Sequence, residues 1–255
     1  MSPLTGQAAA PWLRPWPRPQ LPAGELHVWR APLEAADEDF VSLERNLAAE
    51  ERRRAWRFRA EADRRRWILA RGILRCVLGR YLGVGPVSLR LDAAPLGKPF
   101  LHSPAGSSWL RFNLSHAGGM ALVALCRGRE VGVDLEPVRA LSDEDAFARR
   151  ILSERERAEL SLAPEELRRR AFFEGWTRKE AYLKATGEGL VNDMERVEVS
   201  LAPGEPARLR AVRGDEGVAA AWSLFAFSPA EGFAGAAVVK GQGASLRFWD
   251  WDWVL

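Results

Sequence analysis

Phe172-Phe173-Glu174-Gly175-Trp176-Thr177-Arg178-Lys179-Glu180-Ala181-Tyr182-Leu183-Lys184-Ala185 is the stretch that organises this chain. It lies inside a longer helical pattern that opens near Pro164 and runs to Thr186, where Gly187 and Gly189 stop it. A second long helix is expected from about Glu61 to Tyr81, ended by Gly83, Gly85 and Pro86. Arg64-Arg65-Arg66 precedes the apolar stripe of this first helix just as Arg168-Arg169-Arg170 precedes that of the second.

Each long helix keeps similar company. The first is preceded by a strand from Glu25 to Ala31 and by charged, helical sequence over 37–58, and is followed by strands at Val87 to Leu91, Leu110 to Leu114 and Met120 to Cys126. The second is preceded by a strand from Val131 to Glu136 and helical sequence from Asp143 to Leu160, and is followed by strands near 195–201, 207–213, 219–227 and 232–240. The pattern predicts an α+β protein of two similar halves, with a site between them. The expected boundaries are a proline-rich leader (1–24), an N-terminal half (25–128), a C-terminal half (129–243) and a tryptophan-rich tail (244–255). Phe248 to Trp253 alternates aromatic and acidic residues at strand period, so the tail either adds an edge strand or tucks over the core, and packing is its expected role.

At 255 residues and 47% hydrophobic content the chain can bury a substantial core. Its 37 basic and 34 acidic residues leave a net charge of only +3, so the whole-molecule charge makes no case for nucleic-acid binding. Ten arginines fall between Arg52 and Arg75, and most must coat solvated helix faces. The four lysines are Lys98, Lys179, Lys184 and Lys240, and their scarcity makes each worth following. Cys76 and Cys126 sit in apolar stretches and are expected to be reduced core residues. The leader has no basic start followed by an apolar run, which predicts neither a signal peptide nor a membrane helix, and a soluble, cytoplasmic protein.

Three segments carry chemistry. In Val131-Gly132-Val133-Asp134-Leu135-Glu136, strand alternation puts Asp134 and Glu136 on one face and Val133 and Leu135 on the other. Paired hard oxygen ligands suit magnesium, although acidic residues on a half-exposed strand are also common without a metal. Trp176, Glu180 and Lys184 follow one another at i, i+4 and i+8 along a helix face, as a third carboxylate beside a phosphate-binding ammonium or as an ordinary helix ion pair. Phe112-Asn113-Leu114-Ser115-His116-Ala117-Gly118-Gly119 sets Ser115 and His116 at a strand end before a glycine turn. Neighbours on a strand point to opposite faces, so this pair is not read as a hydrolase nucleophile and base. His116 can instead donate to a phosphate or simply cap the turn.

Gly97-Lys98-Pro99, then Phe112 to His116, Gly132 to Glu136, and Trp176 to Lys184 with Gly187 and Gly189, together resemble the surfactin-synthetase-activating class of 4′-phosphopantetheinyl transferases. The motifs span residues 97–190, and the helix and strand pattern fits from about residue 25. The resemblance implies a pseudo-twofold monomer with coenzyme A, as substrate, in the cleft between the halves. It assigns Asp134, Glu136 and Glu180 to magnesium and Lys184 to the cofactor's diphosphate, and counts Asp134 among the cofactor-binding residues as well. Lys98 would lie beside the adenine, Ser115 and His116 near the ribose 3′-phosphate, and Arg54 and Arg66 at that same phosphate. Arg52 matches less well, and Glu51 stands where the family has a basic residue. Glu156 matches a family acidic residue but is not counted as catalytic, and Trp176 is expected to support Glu180 from below.

The implied reaction is transfer of 4′-phosphopantetheine from coenzyme A to a serine of an apo acyl or peptidyl carrier protein, leaving 3′,5′-ADP. Lys184 would stabilise the developing charge, and Glu180 would take the serine proton directly or through water. Fatty acid, polyketide and nonribosomal peptide carriers are all compatible. The competing readings are a catalytically inactive carrier-binding module and a nucleic-acid binder working through the arginines of 52–75. The resemblance implies neither a nucleic-acid nor a membrane partner.

Overall fold

A computed structural model describes residues 11–14, 19–94, 97–102, 109–187, 194–202 and 204–253. The first half runs β1 (Glu25–Pro32), α1 (Asp37–Arg45), α2 (Ala49–Ala55), α3 (Glu61–Leu82), β2 (Leu91–Ala93), β3 (Pro99–Leu101), β4 (Leu110–Ala117) and β5 (Met120–Arg127). The second runs β6 (Val131–Pro137), α4 (Glu144–Ile151), α5 (Glu154–Leu162), α6 (Glu165–Thr186), β7 (Val197–Val199), β8 (Leu209–Val212), α7 (Glu216–Ala220), β9 (Trp222–Phe227) and β10 (Phe233–Lys240). A last strand, β11 (Ser245–Asp250), lies parallel to β1.

Without β11 the two main sheets have the same strand order, β1-β5-β4 in one and β6-β10-β9 in the other. The long helices α3 and α6 are both 22 residues, and each ends on a left-handed glycine, Gly83 at φ 69° and Gly187 at φ 75°, a conformation costly for residues with a Cβ.

Alternation along the strands builds the layers. Leu26, Val28, Leu122 and Ala124 from one sheet meet Val131, Val133, Leu135, Ala237 and Val239 from the other in a shared core. The opposite face of the first sheet packs on α3 through Trp29, Val123, Ile73 and Val77. The opposite face of the second packs on α6 through Ala236, Val238, Ala181 and Ala185. The result is a helix-sheet-sheet-helix arrangement, within the α+β class read from the sequence.

The halves also repeat an internal fastening. Glu51 on α2 accepts from the Ala48 N–H and is buried against Arg71 and Arg75 of α3, and Arg75 Nη1 donates on to the carbonyls of Pro86 and Leu89 at 2.8 and 3.1 Å. In the second half Glu156 on α5 accepts from the Ser153 N–H and pairs with Lys179 of α6, whose Nζ donates on to the Met194 carbonyl at 2.9 Å. Each long helix is thus tied to the short helix before it and to the turn after it.

Several expectations are corrected. The strand expected at Val87 to Leu91 is a 3-10 turn, Pro86–Ser88, followed by the short β2, because Pro86 sits where it can start a helical turn but cannot donate to a ladder. The strand expected from 219 begins as α7, whose N-cap Asp215 accepts from the Val218 N–H at 3.0 Å. The helical stretch from Asp143 to Leu160 is two helices, divided where Ser153 caps α5, and that of 37–58 is likewise α1 and α2. Gly189 lies outside the described residues.

The tail both adds a strand and closes the core: Trp249 stacks on Trp29 at 5.9 Å, and Trp251 is buried beside it. Residues 11–14 run along the outer edge of β11, with the Leu13 N–H donating to the Phe248 carbonyl at 3.0 Å. Both cysteines are unpaired and buried. Among the described residues no helix is long and apolar enough to cross a membrane.

Candidate functional site

The site lies where α6 crosses β6. Gly132 makes the approach possible, because a Cβ there would come within 1.9 Å of the Ala181 carbonyl oxygen and 2.5 Å of the Ala185 nitrogen. On the same strand face as Gly132 stand Asp134 and Glu136, while Val133 and Leu135 point into the core between the sheets. From β4, next to β6, the Asn113 side chain accepts from the Val133 N–H at 3.0 Å and fixes the two strands side by side.

Three side chains close a triangle. Lys184 Nζ lies 2.5 Å from Asp134 Oδ1 and donates to Ser115 Oγ at 2.8 Å, and Ser115 Oγ donates to the same Asp134 oxygen at 2.8 Å. Asp134 is 3% exposed, and its other oxygen, Oδ2, is buried with no partner among the described residues. One turn back along α6, Glu180 Oε1 accepts a long bond of 3.4 Å from Trp176 Nε1, and Oε2 is buried without a partner. Trp176 stacks on Phe147 and on Phe173, with interplanar angles of 21° and 7°.

Burial, and then the charge of Asp134, push Glu136 and Glu180 up to about 7. These carboxylates sense one another electrostatically, yet among the described residues no three His, Cys, Asp or Glu side chains are gathered closely enough to hold a metal ion. The chemistry of the set still fits a hard divalent cation. It offers oxygen donors alone, two buried carboxylate oxygens lack any partner among the described residues, and a cation would offset the repulsion that raises Glu136 and Glu180.

The remaining residues singled out from the sequence fall into two groups. Ser115 belongs to the triangle, and His116, the next residue on β4, is exposed. Lys98, in the turn before β3, lines a cavity of about 230 Å³ with Phe100, Leu110, Phe112, Thr186 and Gly187. Arg54 and Arg66, in contrast, stand on exposed faces of the first half: Arg54 lies 5.9 Å over the Trp67 ring, and Arg66 is 3.9 Å from Asp63. Neither bonds to the triangle in these contacts. Glu51 turns inward to Arg71 and Arg75, so the glutamate at a position expected to be basic is a helix fastening.

A second cavity, of about 420 Å³, adjoins Glu180 on the side away from Lys184 and is lined by Phe147, Arg150, Ile151, Trp176 and Met194. The sequence reading missed Phe147 and Ile151, although their i, i+4 spacing on α4 was a usable signal. Along α6 the order is therefore the Gly187 cavity, Lys184, Glu180 and the Trp176 cavity.

Residues 130–238 match a protein-family profile described as the 4′-phosphopantetheinyl transferase superfamily, and residues 31–127 match one described as 4′-phosphopantetheinyl transferase, N-terminal. The chain is 40% identical over 238 residues to the 4′-phosphopantetheinyl transferase HetI of Nostoc sp., covering 93% of this chain and 97% of that one. It is 36% identical to a phosphopantetheinyl transferase of Thraustochytrium sp. over 58% of this chain and 55% of the relative. It is 27% identical to the 4′-phosphopantetheinyl transferase Sfp of Bacillus subtilis over 60% of this chain and 65% of the relative.

Proposed function

Because this chain belongs to the 4′-phosphopantetheinyl transferase family and is an enzyme of that family, we propose that it moves the phosphopantetheine arm of coenzyme A onto a serine of an apo acyl or peptidyl carrier protein. The observation that supports this reading best is the triangle of Lys184, Asp134 and Ser115 beside two carboxylates pushed up to about 7. Lys184 alone balances the three acids of that cluster, and a divalent cation would supply the missing positive charge while leaving coordination positions for a diphosphate.

Asp134, Glu136 and Glu180 would hold magnesium, which when bound neutralises charge on the diphosphate oxygens. Lys184, whose side chain is 28% exposed, can turn its ammonium from Asp134 towards a phosphate. The carrier serine oxygen bonds to the phosphorus that bears pantetheine, and the bond from that phosphorus to the bridging oxygen breaks. The electron pair leaves with 3′,5′-ADP, and Lys184 stabilises the charge that grows there. Glu180 accepts the serine proton, directly or through water, and Trp176 limits the rotation of its carboxylate by donating to Oε1.

On this reading the cavity that Lys98 lines takes the adenine end, and Ser115 and His116 lie near the ribose 3′-phosphate, with Arg54 and Arg66 reaching that phosphate from the first half. The protein acts as a cytoplasmic monomer. The test is incubation with coenzyme A, magnesium and several apo carrier domains, followed by intact mass spectrometry. A gain of one phosphopantetheine on the carrier, abolished by a chelator, is expected. Carriers that stay apo throughout would overturn the reading.

A further inference from the structure

Lys98 is the one described lysine that reaches from the first half into the second half's site. Its Nζ donates to the Ala185 carbonyl at 2.7 Å and the Val131 carbonyl at 3.3 Å, and lies 3.5 Å from Glu130 Oε2. The turn that carries it is fixed locally, with the Gly97 N–H donating to the Ala94 carbonyl at 2.8 Å and the Ala94 N–H to the Lys98 carbonyl at 2.9 Å. Ala185 is in the last turn of α6, next to Lys184, and Val131 is the first residue of β6, three before Asp134.

Those two carbonyls belong to the two elements whose separation sets the site. The last carbonyls of a helix lack intrahelical donors and carry the negative end of its dipole, so an ammonium there both satisfies and stabilises the helix end. With its donors directed at Ala185, Val131 and Glu130, Lys98 is committed to protein oxygens rather than free for a ligand.

We infer that Lys98 is a positioning residue, a strap from the first half that holds the end of α6 against the start of β6 and so sets Lys184 against Asp134. The inference rests on the proposed function for its catalytic consequence, and departs from the family-derived placement of Lys98 as an adenine contact. A strap and an adenine ligand affect different pieces of the substrate. Loss of the strap displaces Lys184 and weakens the diphosphate site, whereas loss of an adenine ligand weakens only the nucleoside end.

The test compares Lys98→Met and Lys98→Arg with the unaltered chain. Calorimetry measures binding of magnesium pyrophosphate and, separately, of adenosine 3′-monophosphate. Steady-state assays give kcat and KM for coenzyme A, and amide hydrogen exchange is followed over residues 183–187, where the Gly187 N–H closes the helix on the Leu183 carbonyl. Lys98→Met should lower pyrophosphate affinity and kcat by about tenfold or more, as a displaced catalytic group does, and speed exchange over 183–187. Affinity for adenosine 3′-monophosphate should be unchanged, and Lys98→Arg should recover much of the loss. A defect confined to adenosine 3′-monophosphate and KM, with kcat and exchange unaltered, would overturn the inference. The exchange measurement needs no ligand, so unchanged exchange refutes the strap whatever the protein binds. An unaltered chain that binds no pyrophosphate and no coenzyme A would instead count against the proposed function, with exchange still deciding the strap.

Discussion

Lys179 and Glu156 form an ion pair, 2.5 Å between Nζ and Oε2, in which neither side chain has any exposed surface. Glu156 also accepts from the N–H groups of Ser153 and Val199, at 2.7 and 2.8 Å, so its two oxygens join α5, α6 and β7. A motif residue next to Glu180 in sequence is therefore a structural fastener. Lys179→Met would leave a buried carboxylate without its cation and should cost about 3–5 kcal/mol, read by urea denaturation. The double substitution Lys179→Met with Glu156→Leu should cost less than the sum of the two single changes.

The contact between α6 and β6 has no room for one carbon. Gly132→Ala would press a methyl group on the Ala181 carbonyl and drive the helix that bears Glu180 and Lys184 away from Asp134. Transfer should fall by about a hundredfold, on the scale of a displacement of roughly 1 Å in a catalytic group. Steady-state assays on folded protein, confirmed by circular dichroism, check this. Unimpaired turnover would mean that the spacing does not set the rate.

Within the triangle, Lys184 and Ser115 should differ in weight. Lys184→Met removes a charge placed for the leaving group and should lower kcat by about a hundredfold or more. Ser115→Ala removes one neutral donor to Asp134 and should cost about tenfold at most, in line with a net hydrogen bond of about 0.5–1.5 kcal/mol. Equal losses would argue against charge stabilisation by Lys184.

His27 predicts an acid limb in stability. Buried in the first half, it meets Tyr81 Oη through Nδ1 at 2.7 Å and Glu25 Oε2 through Nε2 at 2.9 Å, and Tyr81 Oη also accepts from Trp29 Nε1. The bonds are all satisfied when Nε2 carries the proton and Tyr81 donates to Nδ1. Burial holds the His27 pKa below its ordinary 6.5, outweighing the opposing pull of Glu25. The folded state thus binds fewer protons than the unfolded state just below pH 6.5, and stability declines as pH falls from there through the lowered folded value. The pKa of Glu25 is also held down, its bonds to His27 and Arg247 outweighing burial, so its contribution is lost in the same acid direction at lower pH. Glu136 and Glu180, raised to about 7, gain stability as pH falls over the same window, so the His27 limb is read as a difference: from pH 8 down to 4.5 the denaturation midpoint of the unaltered protein should fall relative to that of His27→Gln.

Much of this was legible in the sequence, because local periodicity dictates what it records. The alternation of Val133 and Leu135 with Asp134 and Glu136 reports a strand with one face in a core and one on α6, and Gly83 and Gly187 mark both helix ends. Glu180 and Lys184 share a face by helical spacing alone. The fastenings were hidden for an equally physical reason. Glu51 with Arg75, and Lys98 with Ala185, join residues 24 and 87 apart, and no local pattern distinguishes a charged side chain that turns inward from one that faces water. The turn at Pro86–Ser88 was misread because Val87 and Leu89 have strand composition, while the two Arg75 bonds that hold the turn arrive from α3.

On the proposed function, Asp134, Glu136 and Glu180 share a divalent cation with a diphosphate. Calorimetric titration of coenzyme A with and without magnesium, into the unaltered chain and into Glu180→Gln, tests this most directly. Magnesium is expected to tighten binding to the unaltered chain, and most of the gain is expected to vanish in Glu180→Gln. Coenzyme A affinity that ignores magnesium, or a magnesium gain as large in Glu180→Gln, would contradict it.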